Sequence, residues 1–193
     1  MPVQGRFTSK HLGIAAAFPE SWQHQKTLDT EESRGDWERD VSVFFRGVNV
    51  EEFIAQITLV TIVRDDRAAT ETDLRDVART ELAGTAAGRR CLSYDRYGTK
   101  AVRCTAISTR NSRRYGMIEE YFLAGRRIVF ARALVEALPG EIEGDELAAP
   151  PPDVEPAPPT TAPTLRGYIS PISEMDAREI ESVLDSIEAV QDD

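Results

Sequence analysis

His11 and His24 are the only histidines in the chain, and Cys91 and Cys104 the only cysteines. Those four side chains bound most of the nucleophilic, acid–base and soft-metal chemistry open to it. A serine or cysteine nucleophile would need one of the two imidazoles beside it. No Gly-x-Ser-x-Gly elbow, His-Glu-x-x-His helix or glycine-rich phosphate loop is present to arrange that. His11 and His24 lie 13 positions apart with no cysteine pair near them, which is not zinc-finger spacing. Asp65 and Asp66 lack the evenly spaced carboxylates of a calcium loop. The expectation is no catalytic residue, no metal ligand and no cofactor, hence not an enzyme.

The cysteines admit a geometric construction. If a hairpin turns at Tyr97-Gly98, residue 96 pairs with 99 and, counting outward, Cys91 faces Cys104. Directly opposed strand residues bring their β-carbons close enough to bridge, so a Cys91–Cys104 disulfide is feasible. The alternative, which this reading favours, is two reduced and partly buried thiols in a cytoplasmic protein.

Binding chemistry rests on arginine and tryptophan. Of 23 basic residues only Lys10, Lys26 and Lys100 are lysine. In an antiparallel meander the connections alternate between the two ends of the sheet. Arg89, Arg90, Arg110, Arg113 and Arg114 are therefore expected to gather at one end, and Arg96, Lys100, Arg126 and Arg127 at the other. The first cluster is a candidate docking site for an acidic partner; the alternative is a solvated rim. Trp37 stands alone among polar residues from Asp29 to Asp40, as an interface anchor or as a lid folded back on the core.

The composition narrows the partners. The 193 residues suit one domain, 41% are hydrophobic and 29% charged, and the formal charge is −10. That charge opposes nucleic acid and anionic lipid as general partners. No apolar run reaches the length of a membrane span, and the opening residues lack a signal peptide's apolar stretch. A cytoplasmic location follows if the first residue is native, with an exported domain that has lost its leader as the alternative.

The elements that must position these groups read as α+β. A strand is expected over Leu12–Trp22, ended by Pro19-x-x-Trp22, followed by a loop, then strands at 41–45 and 53–63, the latter apolar on both faces. Leu74, Val77, Ala78 and Leu82 share one face of a helix over 72–87, with Thr70 and Asp73 as a capping box. Strands at 91–95, 100–109, 115–123 and 127–135 form the meander. A proline-rich stretch at about 139–167 reads as a solvated insert; its Pro156-Ala157-Pro158-Pro159 has the spacing of an SH3-type ligand but lacks a flanking arginine. Ser173 then caps a last helix with Ile180, Val183, Leu184, Ile187 and Val190 on one stripe.

In this order the chain resembles the PsbP-like family, a fold shared by the photosystem extrinsic subunit, a yeast Ran-binding protein and bacterial DcrB-type proteins. The resemblance is carried by Gly13 and Phe18-Pro19-x-x-Trp22, the helix at 72–87, the Tyr97-Gly98 turn with Ala101, the hairpin from Tyr121 to Phe130 and the terminal helix after a spacer. It implies one domain over 1–193 with an antiparallel sheet of about six to seven strands sandwiched between helices, an α/β/α sandwich. It also implies a non-enzymatic role: binding another protein, in assembly or as a chaperone or adaptor. The alternative is a small-molecule sensor or enzyme using a cleft between the sheet and the C-terminal helix.

Overall fold

The structure, a computed structural model, describes residues 2–25, 37–64, 66–82, 89–137 and 174–190. The strands are β1 (Pro2–Ser9), β2 (Ile14–Gln25), β3 (Trp37–Gly47), β4 (Phe53–Arg64), β5 (Arg90–Arg96), β6 (Thr99–Arg110), β7 (Arg113–Ala124), β8 (Arg127–Glu136) and β9 (Glu188–Ala189), and the helices are α1 (Glu71–Leu82) and α2 (Glu174–Asp185). The strands form one antiparallel sheet in the order β1-β2-β3-β4-β8-β7-β6-β5, with β9 added to β2.

The expected α/β/α sandwich of six to seven strands is corrected by this architecture. Each helix has 12 residues, about 18 Å at 1.5 Å per residue, against strands of 10–12 residues that run roughly twice as far. Helices that short cannot cover the faces of a nine-stranded sheet. Among the described residues the molecule is a predominantly antiparallel β-sheet carrying two short helices.

Burial follows the two-residue period of the strands. Ile57, Leu59, Ile118, Phe122, Val129 and Ala131 meet Ile180, Val183 and Leu184 of α2 on one face. Val60, Ile62, Tyr121, Ile128 and Phe130 meet Leu74 and Ala78 of α1 on the other. Both faces of β4 are covered, which explains its unbroken apolar run.

Three sequence expectations shift for identifiable reasons. Pro19 does not end the opening strand: β1 pairs Gly5 with Phe18 but Val3 with Trp22, so Pro19 falls in an irregularity where its missing N–H breaks no ladder bond. Trp37 is not in a loop but begins β3, opposite Arg64. Ile187 and Val190 are not on the last helix, which ends at Asp185; the Val190 backbone N–H donates to the Gly13 carbonyl after the short β9. The proline-rich insert at about 139–167 and the Ser173 cap lie outside the described residues.

Candidate partner-binding site

The open recess nearest to a predicted functional residue lies between α1 and the ends of β3 and β4. Trp37 and Arg39, two apart on β3, share a face with Ile62 and Arg64, their register partners on β4. Asp73, Asp76, Val77, Thr80 and Glu81 fall three or four apart on α1 and form the stripe that looks back at those strands. Together these residues enclose a groove of about 280 Å³. Ile62 and Val77 give it apolar walls. Trp37 is partly buried, and the Arg64 guanidinium lies 5.1 Å from its ring centroid, within cation–π range. Arg39 bridges to Glu81 at 3.2 Å, tying strand to helix across the groove.

The helix that forms one wall is well anchored. Thr70 and Asp73 make the expected capping box, with the Asp73 N–H donating to Thr70 Oγ1 at 3.3 Å and the Thr70 N–H to Asp73 Oδ2 at 2.9 Å. Arg67 donates to Asp73 at 2.7 Å, and this bond holds the Asp73 carboxyl well below the usual carboxylate range. At the far end of α1, Arg89 Nη1 donates to the Leu82 carbonyl at 2.9 Å, and its Nη2 to Glu119 at 2.8 Å.

The expected arginine clusters are redistributed. Arg110, Arg113 and Arg114 do meet at the β6–β7 turn, where Arg110 opposes Arg113 directly and Arg113 pairs with Glu136 at 3.3 Å. Arg89 and Arg90 do not join them. Arg90 opposes Thr105, five residues short of Arg110, about 16 Å along the strand, and Arg89 turns inward to Glu119. At the other end Lys100 pairs with Asp95, Arg127 reaches the His11 carbonyl, and Arg96 is buried.

Cys91 and Cys104 stand opposite each other in the register counted from the Tyr97-Gly98 turn, and they are joined as a disulfide. The favoured reading of two free thiols is thereby corrected: both cysteines fall at one rung of the ladder, with α-carbons 4.0 Å apart.

His24 and Ser42 approach to 3.3 Å, a pairing that the sequence alone did not show. The Ser42 side chain is buried and the His24 ring is stacked on Phe44. Burial also lowers the His24 pKa from its ordinary value. The hydroxyl has no open approach, so this pair is packing and not a nucleophile site. Among the described residues no group of three or more His, Cys, Asp or Glu side chains is placed to hold a metal ion, and no helix is long and apolar enough to cross a membrane.

Sequence reasoning missed the buried charges. Glu119 and Glu120 are adjacent on β7, face opposite sides of the sheet, and are 1% and 0% exposed. Glu119 is bound by Arg89 and by Arg132, whose Nε donates at 2.9 Å. Glu120 accepts from Arg96 Nη1 at 2.7 Å and from Arg103 Nε at 3.0 Å and Nη2 at 2.6 Å, and from the Tyr94 hydroxyl. Burial, and then the Glu120 charge, raise the Tyr94 pKa far above its ordinary value. Arg96 also donates to the Leu184 and Ile187 carbonyls at 2.7 and 2.9 Å, so the same network caps the end of α2. The signal was available: two carboxylates side by side within an apolar strand require cations on both faces, and 20 arginines against three lysines supply planar forks for them.

No family model matches the chain, and no curated protein matches it. In fold it is similar to a crystal structure from Bacteroides thetaiotaomicron, with a TM-score of 0.55 and 12% sequence identity. The match covers 98% of this chain and 50% of that one, so this chain spans half the length of its structural neighbour, and at that identity the likeness is one of fold alone.

Proposed function

We propose that the chain is a non-enzymatic protein-binding module, of the assembly or chaperone-adaptor kind, whose partner inserts a side chain into the Trp37 groove. The observation that carries this reading is the composition of the groove: a partly exposed tryptophan backed by an arginine, apolar walls from Ile62 and Val77, and charged groups around the rim. Tryptophan and arginine are the residues most enriched at energetic centres of interfaces. A recess of about 280 Å³ has room for one anchoring side chain of a partner. The reading agrees with the role that the PsbP-like resemblance implies. The cleft of the alternative reading, between sheet and α2, is not supported, because Ile180, Val183 and Leu184 of that helix, and Ile187 just past its end, are seated in the core.

The disulfide supports an oxidising compartment, and hence the exported form of this module over the cytoplasmic one. Mapping the thiols of Cys91 and Cys104 in protein taken from its native host tests that part; free thiols there would return the module to the cytoplasm.

The binding reading is tested by crosslinked affinity capture from the native organism. Wild type is compared with Trp37→Ala and with a variant carrying Arg110, Arg113 and Arg114 changed to Glu. A protein that Trp37→Ala loses and the triple variant keeps supports the groove. Loss in the triple variant alone moves the site to the arginine turn. No capture by any form, together with stabilisation by a small molecule in a thermal-shift screen, replaces the reading with that of a sensor.

A further inference from the structure

Cys91 and Cys104 close one rung of the sheet, and the same rung continues through Glu119 to Arg132. Four side chains therefore stand in a row across β5, β6, β7 and β8, on the face that carries α1. Arg89, two residues before Cys91, joins this row to the helix. Its Nη2 donates to Glu119 Oε2 at 2.8 Å, and its Nη1 to the carbonyl of Leu82, the last residue of α1, at 2.9 Å. The same turn of α1 supplies Thr80 and Glu81 to the Trp37 groove. Arg89 stands at the start of the last strand of the sheet, where a chain end frays readily, and the disulfide two residues on holds it against β6. Glu119 does not depend on Arg89 alone. Arg132 binds its other oxygen, Oε1, through Nε at 2.9 Å and Nη2 at 2.7 Å, so Arg89 can leave without stranding a buried charge.

We infer that the Cys91–Cys104 bond is a redox switch for the Trp37 groove, with Arg89 as the positioning residue that carries its state to α1. In the oxidised chain Arg89 is held on the Leu82 carbonyl and the groove wall is fixed. In the reduced chain the start of β5 frays, Arg89 leaves, and the last turn of α1 opens. Thiol exchange has one open approach: Cys91 is exposed and Cys104 is 1% exposed. A thiolate of a dithiol reductant attacks the Cys91 sulfur, the S–S bond breaks, and Cys104 leaves as a thiolate that takes up the proton given up by the reagent. The second thiol of the reagent then displaces Cys91, so the reductant ends as a disulfide and the protein as two thiols. A disulfide oxidant runs the same steps in reverse. An exported chain thus completes its groove only after oxidation outside a reducing compartment. The consequence for binding rests on the groove reading; the coupling of the disulfide to α1 does not.

Backbone order parameters from NMR relaxation, measured on the full chain without any partner and with or without dithiothreitol, read the switch directly. Dithiothreitol is expected to open the bond in the folded protein. Order parameters at residues 79–82 should then fall from about 0.85 to below about 0.6, while residues 57–62 of β4 stay rigid. Arg89→Gln is expected to give the same loss at 79–82 with the disulfide intact, and reduction of that variant to add little there. The inference is overturned by a bond that dithiothreitol leaves closed in the folded protein, by an unchanged α1, or by an equal loss of order in β4. It is also overturned if reduction loosens α1 in Arg89→Gln as much further as it does in wild type. Since no partner enters these measurements, a failed capture bears on the groove reading and leaves the switch to be judged on its own result.

Discussion

Replacing Glu120 with alanine removes the carboxylate on which Arg96, Arg103 and Tyr94 converge. Arg103 is 1% exposed and Arg96 is 6% exposed, so the substitution leaves Arg96 in the interior without its counter-ion and Arg103 with only the exposed Asp185 carboxylate, 2.9 Å away. Breaking one partner of a buried ion pair costs about 3–5 kcal/mol, mostly from the stranded charge. Against the 5–15 kcal/mol that holds a domain together, that is a large fraction. At about 2–4 °C per kcal/mol for a chain of this size, the melting temperature should fall by roughly 6–20 °C. Urea titration gives the free energy, with an unchanged slope showing that the folded state is intact. Because Arg96 also holds the last carbonyls of α2, amides in the last turn of that helix should exchange with solvent faster than those of β4. An Arg103→Met background provides the control, since the effect of Glu120→Ala should shrink there. A loss under about 1 kcal/mol in the wild-type background would refute the buried network and the capping of α2 derived from it.

Changing Cys91 and Cys104 together to serine should lower stability by about 3 kcal/mol, the value expected for releasing a closed loop of this length, read from the same titration. Thr70→Ala should cost about 1 kcal/mol by removing the α1 cap, with accelerated exchange confined to the first turn of that helix. His24 supplies a pH dependence. Its folded pKa lies below the ordinary value near 6.5 because burial disfavours the charged ring, so the folded state binds fewer protons than the unfolded one. Its contribution is complete above the unfolded pKa and is lost as pH falls below about 6.5 toward the folded pKa. In His24→Gln the stability curve should be flatter over that window.

Much of the meander was legible because short turns fix register. Tyr97-Gly98 set the 96–99 pair and so placed Cys91 opposite Cys104. The α1 cap was legible because it is local: Thr70 and Asp73 satisfy each other within one turn. The parts that were not legible depend on distant partners. β1 is short and mixed in pattern, and it makes sense as a strand only once β2 lies beside it. Glu119 and Glu120 could be seen to need cations, but the choice of Arg89, Arg132, Arg96 and Arg103 is made by cross-strand neighbours and by the return of α2. The same inward pull removed Arg89 and Arg96 from the surface clusters expected of them. Trp37 was singled out as a lone aromatic in polar surroundings; its place over Ile62 and beside α1 followed from the β3–β4 register.

The groove is the central claim, and a hydrogen-exchange footprint of the captured partner's complex tests it most directly. Slowed exchange at residues 37–39, 62–64 and 76–81, absent when Trp37→Ala is mixed with the same partner, is the result expected. Protection confined to the 110–114 turn or to the last helix, with the α1 groove exchanging as in the free chain, would contradict it.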